Sequence, residues 1–290
     1  MASCAPVTLA FNSIEPEDCD NEKSPVIFLH GLTASKDYWY EIPQAVANLT
    51  RRKVYMVDSR NHGDSPWSDV FNFDVNVDDL LLFMDTIKAP KAILVGHSMG
   101  GITSMKTALR APERVEKIVV EDIPVTSINE QTVGAIRLKL KLAKEAVGMM
   151  PDGLSEAKAR QFIIDHILNG LPPEIKAVTK FDENGNLIPL KKTEDGKYTL
   201  KANLDGIAAA VQDGKNLSSK IEGTYDGPAC FIYGMSSPFL VKNDEENIKK
   251  IFPKAELVGI EGATHTVHND CCLEFLAAML DFLHEQPIIY

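Results

Sequence analysis

The stretch Ala92-Ile93-Leu94-Val95-Gly96-His97-Ser98-Met99-Gly100-Gly101 decides how the rest of the chain is read. Its first four residues are all apolar, which suits a strand buried on both faces. They run straight into Gly96-x-Ser98-x-Gly100, and a helix-compatible segment, Ile102–Leu109, follows. A strand, a sharp turn and a helix in that order lift a serine hydroxyl above a sheet edge, and the corner is tight enough to need small neighbours. The first N–H groups of the helix then point at any negative charge that develops beside the serine.

Outward from that corner, short apolar runs recur at Val26–Leu29, Val54–Val57, Ile118–Val120, Cys230–Tyr233 and Glu256–Ile260. Helical patterns lie between or after them at Tyr38–Leu49, Val75–Ile87 and Asp270–Leu283. Strand alternating with helix predicts an α/β fold with a mostly parallel central sheet flanked by helices.

The alternation stops after Pro124. Ile136, Leu140, Ala143, Val147 and Met150 then fall on one stripe at helical spacing. Leu138, Leu140 and Leu142 also alternate with Lys139 and Lys141 as in a strand, but the length and the Ala, Leu, Lys and Glu content favour helix. Asp182–Gly185 and Asp195–Gly196 mark turns further on. Residues 126–220 carry 14 Lys and Arg against 12 Asp and Glu, whereas the rest of the chain carries 16 against 29. The sequence therefore predicts a core of residues 1–125 and 221–290, interrupted by a mainly helical cap over 126–220.

Composition narrows the class. Of 290 residues, 44% are hydrophobic and 24% charged, as in an ordinary globular protein. The net charge of −11 lacks the basic footprint of a nucleic-acid binder. No apolar run reaches the ~18–20 residues of an integral membrane segment. The first basic residue, Lys23, follows Glu15, Glu17, Asp18, Asp20 and Glu22, so neither a secretory signal nor a mitochondrial presequence is expected. Five scattered cysteines, an odd number, predict no disulfide framework and a reduced, cytoplasmic protein.

A serine hydroxyl becomes a nucleophile only when a base takes its proton. Of seven histidines, His265 in Gly262-Ala263-Thr264-His265 stands just past the last predicted strand, with His268 as the spare candidate. A carboxylate must orient that histidine. The segment after Cys230–Tyr233 reads Gly234-Met235-Ser236-Ser237-Pro238 and holds no acid. Asp122, at the end of the strand after the nucleophile, is the expected partner; Asp205 and Asp244 are the alternatives. Oxyanion donors are expected from the backbone N–H groups of Met99 and of Leu32, the latter in His30-Gly31-Leu32 after an early strand. His30, Phe239, Met149, Met150 and Phe162 are candidates to line an acyl pocket. No metal or organic cofactor is called for, and the expected partner is a small-molecule ester.

His30-Gly31-Leu32, Asp58-Ser59-Arg60-Asn61-His62-Gly63-Asp64-Ser65-Pro66, Gly96–Gly101 and Glu121-Asp122-Ile123-Pro124 together resemble the α/β-hydrolase superfamily. Within it they are most similar to the α/β-hydrolase domain-containing protein 11 branch, which includes small serine acyl esterases. The likeness covers about 25–124 well and 198–284 more loosely, and the cap matches little. It implies an α/β-hydrolase fold and a Ser-His-Asp triad, with the acid at Asp122; the match at Asn203-Leu204-Asp205 keeps Asp205 as the alternative. Eukaryotic members are often mitochondrial, which the acidic N-terminus does not suggest. Dehalogenases and epoxide hydrolases of the superfamily use an aspartate nucleophile, whereas position 98 is serine. The expected activity is cleavage of carboxylic esters, with thioesters as the alternative bond, carrying small to medium apolar acyl groups. The rival expectation is a slow-turnover ligand sensor on the same fold.

Overall fold

In the computed structural model, which describes residues 5–181, 188–212 and 221–284, the apolar runs bounded by turn residues become strands. They are β1 (Phe11–Ile14), β2 (Val26–Leu29), β3 (Val54–Val57), β4 (Ala92–His97), β5 (Val115–Glu121), β6 (Leu190–Lys192), β7 (Tyr198–Leu200), β8 (Ala229–Gly234) and β9 (Ala255–Ile260). Seven form one sheet in the order β1-β3-β2-β4-β5-β8-β9. Every pairing in it is parallel except β1 with β3. The four-residue β1 escaped the sequence reading because Phe11–Ser13 are exposed at the sheet edge and carry no buried run.

The helices are α1 (Ile42–Thr50), α2 (Phe73–Thr86), α3 (Met99–Arg110), α4 (Glu130–Gly148), α5 (Glu156–Gly170), α6 (Pro173–Ala177), α7 (Leu204–Gln212), α8 (Glu245–Ile251), α9 (Val267–Asp270) and α10 (Cys272–Leu283). Two expected helices break. The Tyr38–Leu49 pattern becomes a 3₁₀ turn over Lys36–Trp39, a left-handed corner at Tyr40 (φ 52°) and then α1, with Pro43 in its first turn. The Asp270–Leu283 pattern divides at Cys271, whose backbone leaves the helical region (φ −139°, ψ 64°).

Adjacent strand residues face opposite sides of a sheet, so central strands covered on both sides must be apolar throughout. Ile27, Leu29, Leu94 and Val120 face α2 and α3, while Val26, Phe28, Ile93 and Val95 face α1 and α10. The register aligns Leu29 with Gly96, His97 with Glu121 and Glu121 with Ile232, so the loops after β2, β4, β5 and β8 leave the same edge side by side.

Between β5 and β8 lie α4–α7 and the antiparallel ribbon β6–β7. α4 is helical as its composition suggests, with Asn129 Oδ1 accepting from the Thr132 N–H at its start. The ribbon was not foreseen, because Leu190–Lys192 and Tyr198–Leu200 are short and half polar; its turn holds Asp195–Gly196, as expected there. The Asp182–Gly185 turn lies outside the described residues. Leu140, Ala143, Ile163 and Ile167 from this region share one apolar core with the α2–α3 face of the sheet. Polar contacts tie it down as well. Asn203 N donates to Asn61 O (2.8 Å) and Lys201 Nζ meets Asp64 (2.7 Å). Asp244, the third acid considered, accepts from the Val125 and Thr126 N–H groups (2.8 and 2.9 Å), where the chain leaves β5.

Candidate active site

Ser98 sits at the corner between β4 and α3 with φ 52° and ψ −110°, a region that costs a non-glycine residue about 1–3 kcal/mol. The close approach around it leaves no room for a side chain at two flanking positions. A Cβ on Gly96 would lie 2.2 Å from the Gly100 carbonyl oxygen, and one on Gly100 would lie 2.0 Å from that of Leu29. The Ser98 N–H continues the ladder to Glu121 O (3.0 Å), which fixes the height of the corner above the sheet.

One strand over, Asp122 follows β5 and is also left-handed (φ 50°), with its N–H on Ile232 O at 2.9 Å. Its buried carboxylate receives three donors. The Gly234 N–H reaches Oδ1 at 3.0 Å, while the Ser237 hydroxyl and His265 Nδ1, at 2.7 Å, share Oδ2. His265 thus has its proton on Nδ1 and a lone pair on Nε2. The Phe239 ring stacks on the imidazole at 3.8 Å, and Ser237 Oγ accepts from the Phe239 N–H at 3.2 Å. Behind it, His97 Nε2 donates to the His265 carbonyl at 2.9 Å. Burial pushes the Asp122 carboxyl up to about 7. Burial first, with the charge of Lys139 assisting, brings His265 down to about 3. Above neutral pH this leaves a carboxylate bonded to a neutral imidazole.

Next to this pair stands a second. Glu121 accepts from the His268 N–H (2.9 Å) and bonds its Nδ1 with both oxygens (2.8 Å each). Burial opposes ionisation of Glu121, but His268 and His97 together outweigh it and hold the carboxyl below its usual value. The spare histidine is therefore committed elsewhere.

A cavity of about 520 Å³ opens over Ser98, Met99 and His265, and Leu32 and Thr33 also line it. Met99 is the first residue of α3, whose leading N–H groups have no partner within the helix. Ile123, Ile136, Leu140, Ile167 and Ile175 make most of the wall apolar.

Several expected site residues lie elsewhere. Asp205 is on the exposed face of α7, paired with Lys144, and is not brought to His265. His30 is fully buried and turned away from the cavity, donating from Nδ1 to Gly31 O (2.7 Å) and accepting the Ser59 N–H at Nε2 (3.1 Å). Met149 is 65% exposed just past α4, Met150 is buried in the core, and Phe162 packs against that core from α5. Of the pocket candidates only Phe239 lines the cavity. The physical reason is helical phase: the cavity takes the face of α4 that carries Thr132, Ala135, Ile136, Lys139, Leu140 and Ala143, and Met149 and Met150 lie past its end.

Two residues at the site carry no signal in the sequence. Ser237 is a loop hydroxyl in the segment that holds no acid, and Lys139 is masked by its alternation with leucines. His268, the spare base, is instead bonded to Glu121 in a pair that repeats the pattern of Asp122 with His265. Among the described residues, no group of three or more His, Cys, Asp or Glu is placed to hold a metal ion, and no helix is long and apolar enough to cross a membrane.

A family model described as alpha/beta hydrolase fold matches residues 24–148. The sn-1-specific diacylglycerol lipase ABHD11 of Danio rerio is 31% identical over 98% of this chain and 84% of its own. The Mus musculus protein of the same name is 31% identical over 97% and 87%. Among solved structures, a marine microorganism esterase superposes with a TM-score of 0.77 at 30% identity, covering 95% of this chain and 99% of that one.

Proposed function

The chain belongs to the α/β-hydrolase family, in its ABHD11 branch, and is a hydrolase of the carboxylesterase or lipase type. On that premise we propose that it cleaves carboxylic esters with apolar acyl groups through Ser98, His265 and Asp122. The observation that carries this reading is a strained serine corner and a histidine–carboxylate pair opening onto one apolar cavity. The lipases and the esterase among its relatives support an ester substrate.

In this mechanism His265 Nε2 takes the Ser98 proton as Oγ bonds to the ester carbonyl carbon. Asp122 holds the imidazole in the required tautomer and stabilises the imidazolium that forms. The carbonyl oxygen becomes an oxyanion, received by the N–H groups of Met99 and Leu32. The bond to the leaving oxygen then breaks, and His265 returns its proton to the departing alcohol. Water, deprotonated by the same histidine, attacks the acyl-enzyme, releasing the acid and restoring Ser98. Residues 126–220 act as the cap that closes the acyl side of the cavity; the same chemistry would serve a thioester.

The test is fluorophosphonate labelling beside p-nitrophenyl ester hydrolysis, for the wild type and Ser98→Ala. Labelling and repeated turnover in the wild type, both lost in the folded variant, are expected; loss of the nucleophile typically costs about 10⁶-fold in kcat. Turnover retained by a pure Ser98→Ala preparation overturns the assignment. Labelling without turnover replaces it with a ligand sensor.

A further inference from the structure

The face of α4 that lines the cavity is apolar or neutral along its length apart from one residue. Thr132, Ala135, Ile136, Leu140 and Ala143 recur at helical spacing, and Lys139 stands among them, lining the same cavity as Ser98 and His265. Lys141, two residues on, points about 200° away and meets Glu145 on the exposed face at 3.7 Å. The leucine–lysine alternation of the sequence therefore separates into two different lysines, one in solvent and one in the cavity.

Lys139 is half-buried, and no carboxylate among the described residues lies within salt-bridge distance of it. The contrast with its neighbours is sharp. Lys144, on the same helix, pairs with Asp205, and Lys180, which borders the same cavity, pairs with Asp270 (3.4 Å). Glu174 also borders the cavity but forms no ion pair with Lys139. An ammonium group with an apolar wall around it is costly, and its deprotonation is favoured by burial alone. Folding gains nothing visible from a cation there. A ligand that brings its own anion would satisfy it.

We infer that Lys139 determines specificity by binding a carboxylate carried on the substrate, so that the favoured ester has an ionised acid group separated from the scissile bond by an apolar chain. This rests on the ester-hydrolase reading above and names its substrate class. The apolar wall then holds the connecting methylenes, and Lys139 donates to the carboxylate at their far end. The acid group can belong to the acyl part, as in a half-ester of a dicarboxylic acid, or to the alcohol part, as in an ester of an ω-hydroxy acid.

Two arms separate these sources. The acyl arm compares mono-p-nitrophenyl glutarate, adipate and suberate with p-nitrophenyl esters of neutral acids of matched length. The alcohol arm compares butyrate esters of ω-hydroxy acids with butyrate esters of simple alkanols, followed by acid release. Each is run on the wild type, Lys139→Met and Lys139→Arg. The readout is the ratio of kcat/KM for the charged ester to that for the neutral one, which is independent of the folded fraction. In one arm, at one chain length, that ratio is expected to fall about 10- to 100-fold in Lys139→Met, the size of one charged hydrogen bond, and to be largely restored in Lys139→Arg. Equal ratios in wild type and Lys139→Met throughout both arms, with hydrolysis that depends on Ser98, overturn the inference and leave the hydrolase reading intact. The hydrolase reading fails separately, by the absence of Ser98-dependent hydrolysis of any ester. In that event calorimetric titration with adipate and suberate decides: binding lost in Lys139→Met supports the inference, and equal binding or none overturns it.

Discussion

Two carboxylates stand side by side at the end of β5, and two histidines three residues apart meet them. Asp122 bonds His265 at 2.7 Å and Glu121 bonds His268 at 2.8 Å. The chemistry of the two pairs is nearly the same and their settings are opposite. The His265 side chain is 25% exposed and opens onto the cavity, whereas His268 and Glu121 are both sealed at 0%, among the rings of Tyr38, Trp39 and Phe275. Asp122 is pushed towards the neutral acid by burial, while Glu121, though as deeply buried, is drawn the other way by His268 and His97. A histidine–carboxylate pair becomes catalytic machinery through what its free nitrogen faces. Facing a cavity beside Ser98, it can move a proton; facing aromatic rings, it can only hold β5 to α9, the short helix that follows His265.

The widest separation between the pairs is expected in turnover. Asp122→Asn removes the charge and the acceptor that set the His265 tautomer, and should lower kcat by about 10³–10⁴-fold. Glu121→Gln keeps an acceptor for the His268 N–H and should cost at most about tenfold. Steady-state hydrolysis of one ester by both purified variants reads this directly. A loss in Glu121→Gln as large as that in Asp122→Asn would mean that the buried pair takes part in the chemistry.

Stability should reverse the order. Removing the Glu121 carboxylate leaves the buried His268 backbone N–H and Nδ1 without an acceptor, at a cost of about 1–3 kcal/mol for each stranded group. Glu121→Ala should therefore lower Tm by roughly 10 °C in a chain of this size. Asp122→Asn removes a carboxylate that burial already disfavours, so its change should stay within about 1 kcal/mol. Scanning calorimetry on both variants, at one pH above neutrality, tests the claim. Equal shifts would show that both pairs are structural to the same degree.

The difference between the pairs also explains how much was legible in the sequence. Val26–Leu29, Val54–Val57 and the Ser98 corner could be read because burial on both faces and a tight turn restrict local composition to apolar residues and glycine. Asp122 could be singled out because β5 ends beside β4 on the edge where Ser98 emerges. Its donor Ser237 could not, because a hydroxyl in a loop has no periodicity and takes its role from a contact across 115 residues. The cavity wall was hidden for a different reason. Which face of α4 meets the cavity depends on how the helix is set down on the sheet, and that packing is not a local property. Met149 and Met150 were apolar and near enough in sequence to be attractive, but the helix ends before it can present them. Lys139 is the converse: a polar residue on the apolar side, visible as an exception only once the phase is known.

The smallest expected effect is a shift in pH dependence, and it bears on why Asp122 differs from Glu121. In the proposed mechanism hydrolysis requires the Asp122 carboxylate and neutral His265. Because burial raises the Asp122 carboxyl to about 7, the pair should take up a proton as pH falls through neutrality. The rate constant kcat/KM should be flat above about pH 8 and fall below 7, with one apparent pKa that belongs to the pair rather than to either residue. The Ser237 hydroxyl and the Gly234 N–H both bond the ionised form, so both pull that pKa down against burial. Ser237→Ala removes one of these donors and leaves the burial, so the acidic limb should move to higher pH, by about one unit for a hydrogen bond of ordinary strength to a charged group. The plateau above pH 8 should change less than the limb does. The same substitution leaves Glu121 and His268 untouched, but a one-unit rise in the Asp122 pKa is about 1.4 kcal/mol of stability lost where the carboxylate is ionised, so the Tm measured at high pH should fall by a few degrees. A limb that stays in place in Ser237→Ala would mean that the ionisation limiting turnover is not that of Asp122. A limb that moves to lower pH would mean that Ser237 stabilises the protonated carboxyl, and the roles of the two oxygens of Asp122 would then be exchanged.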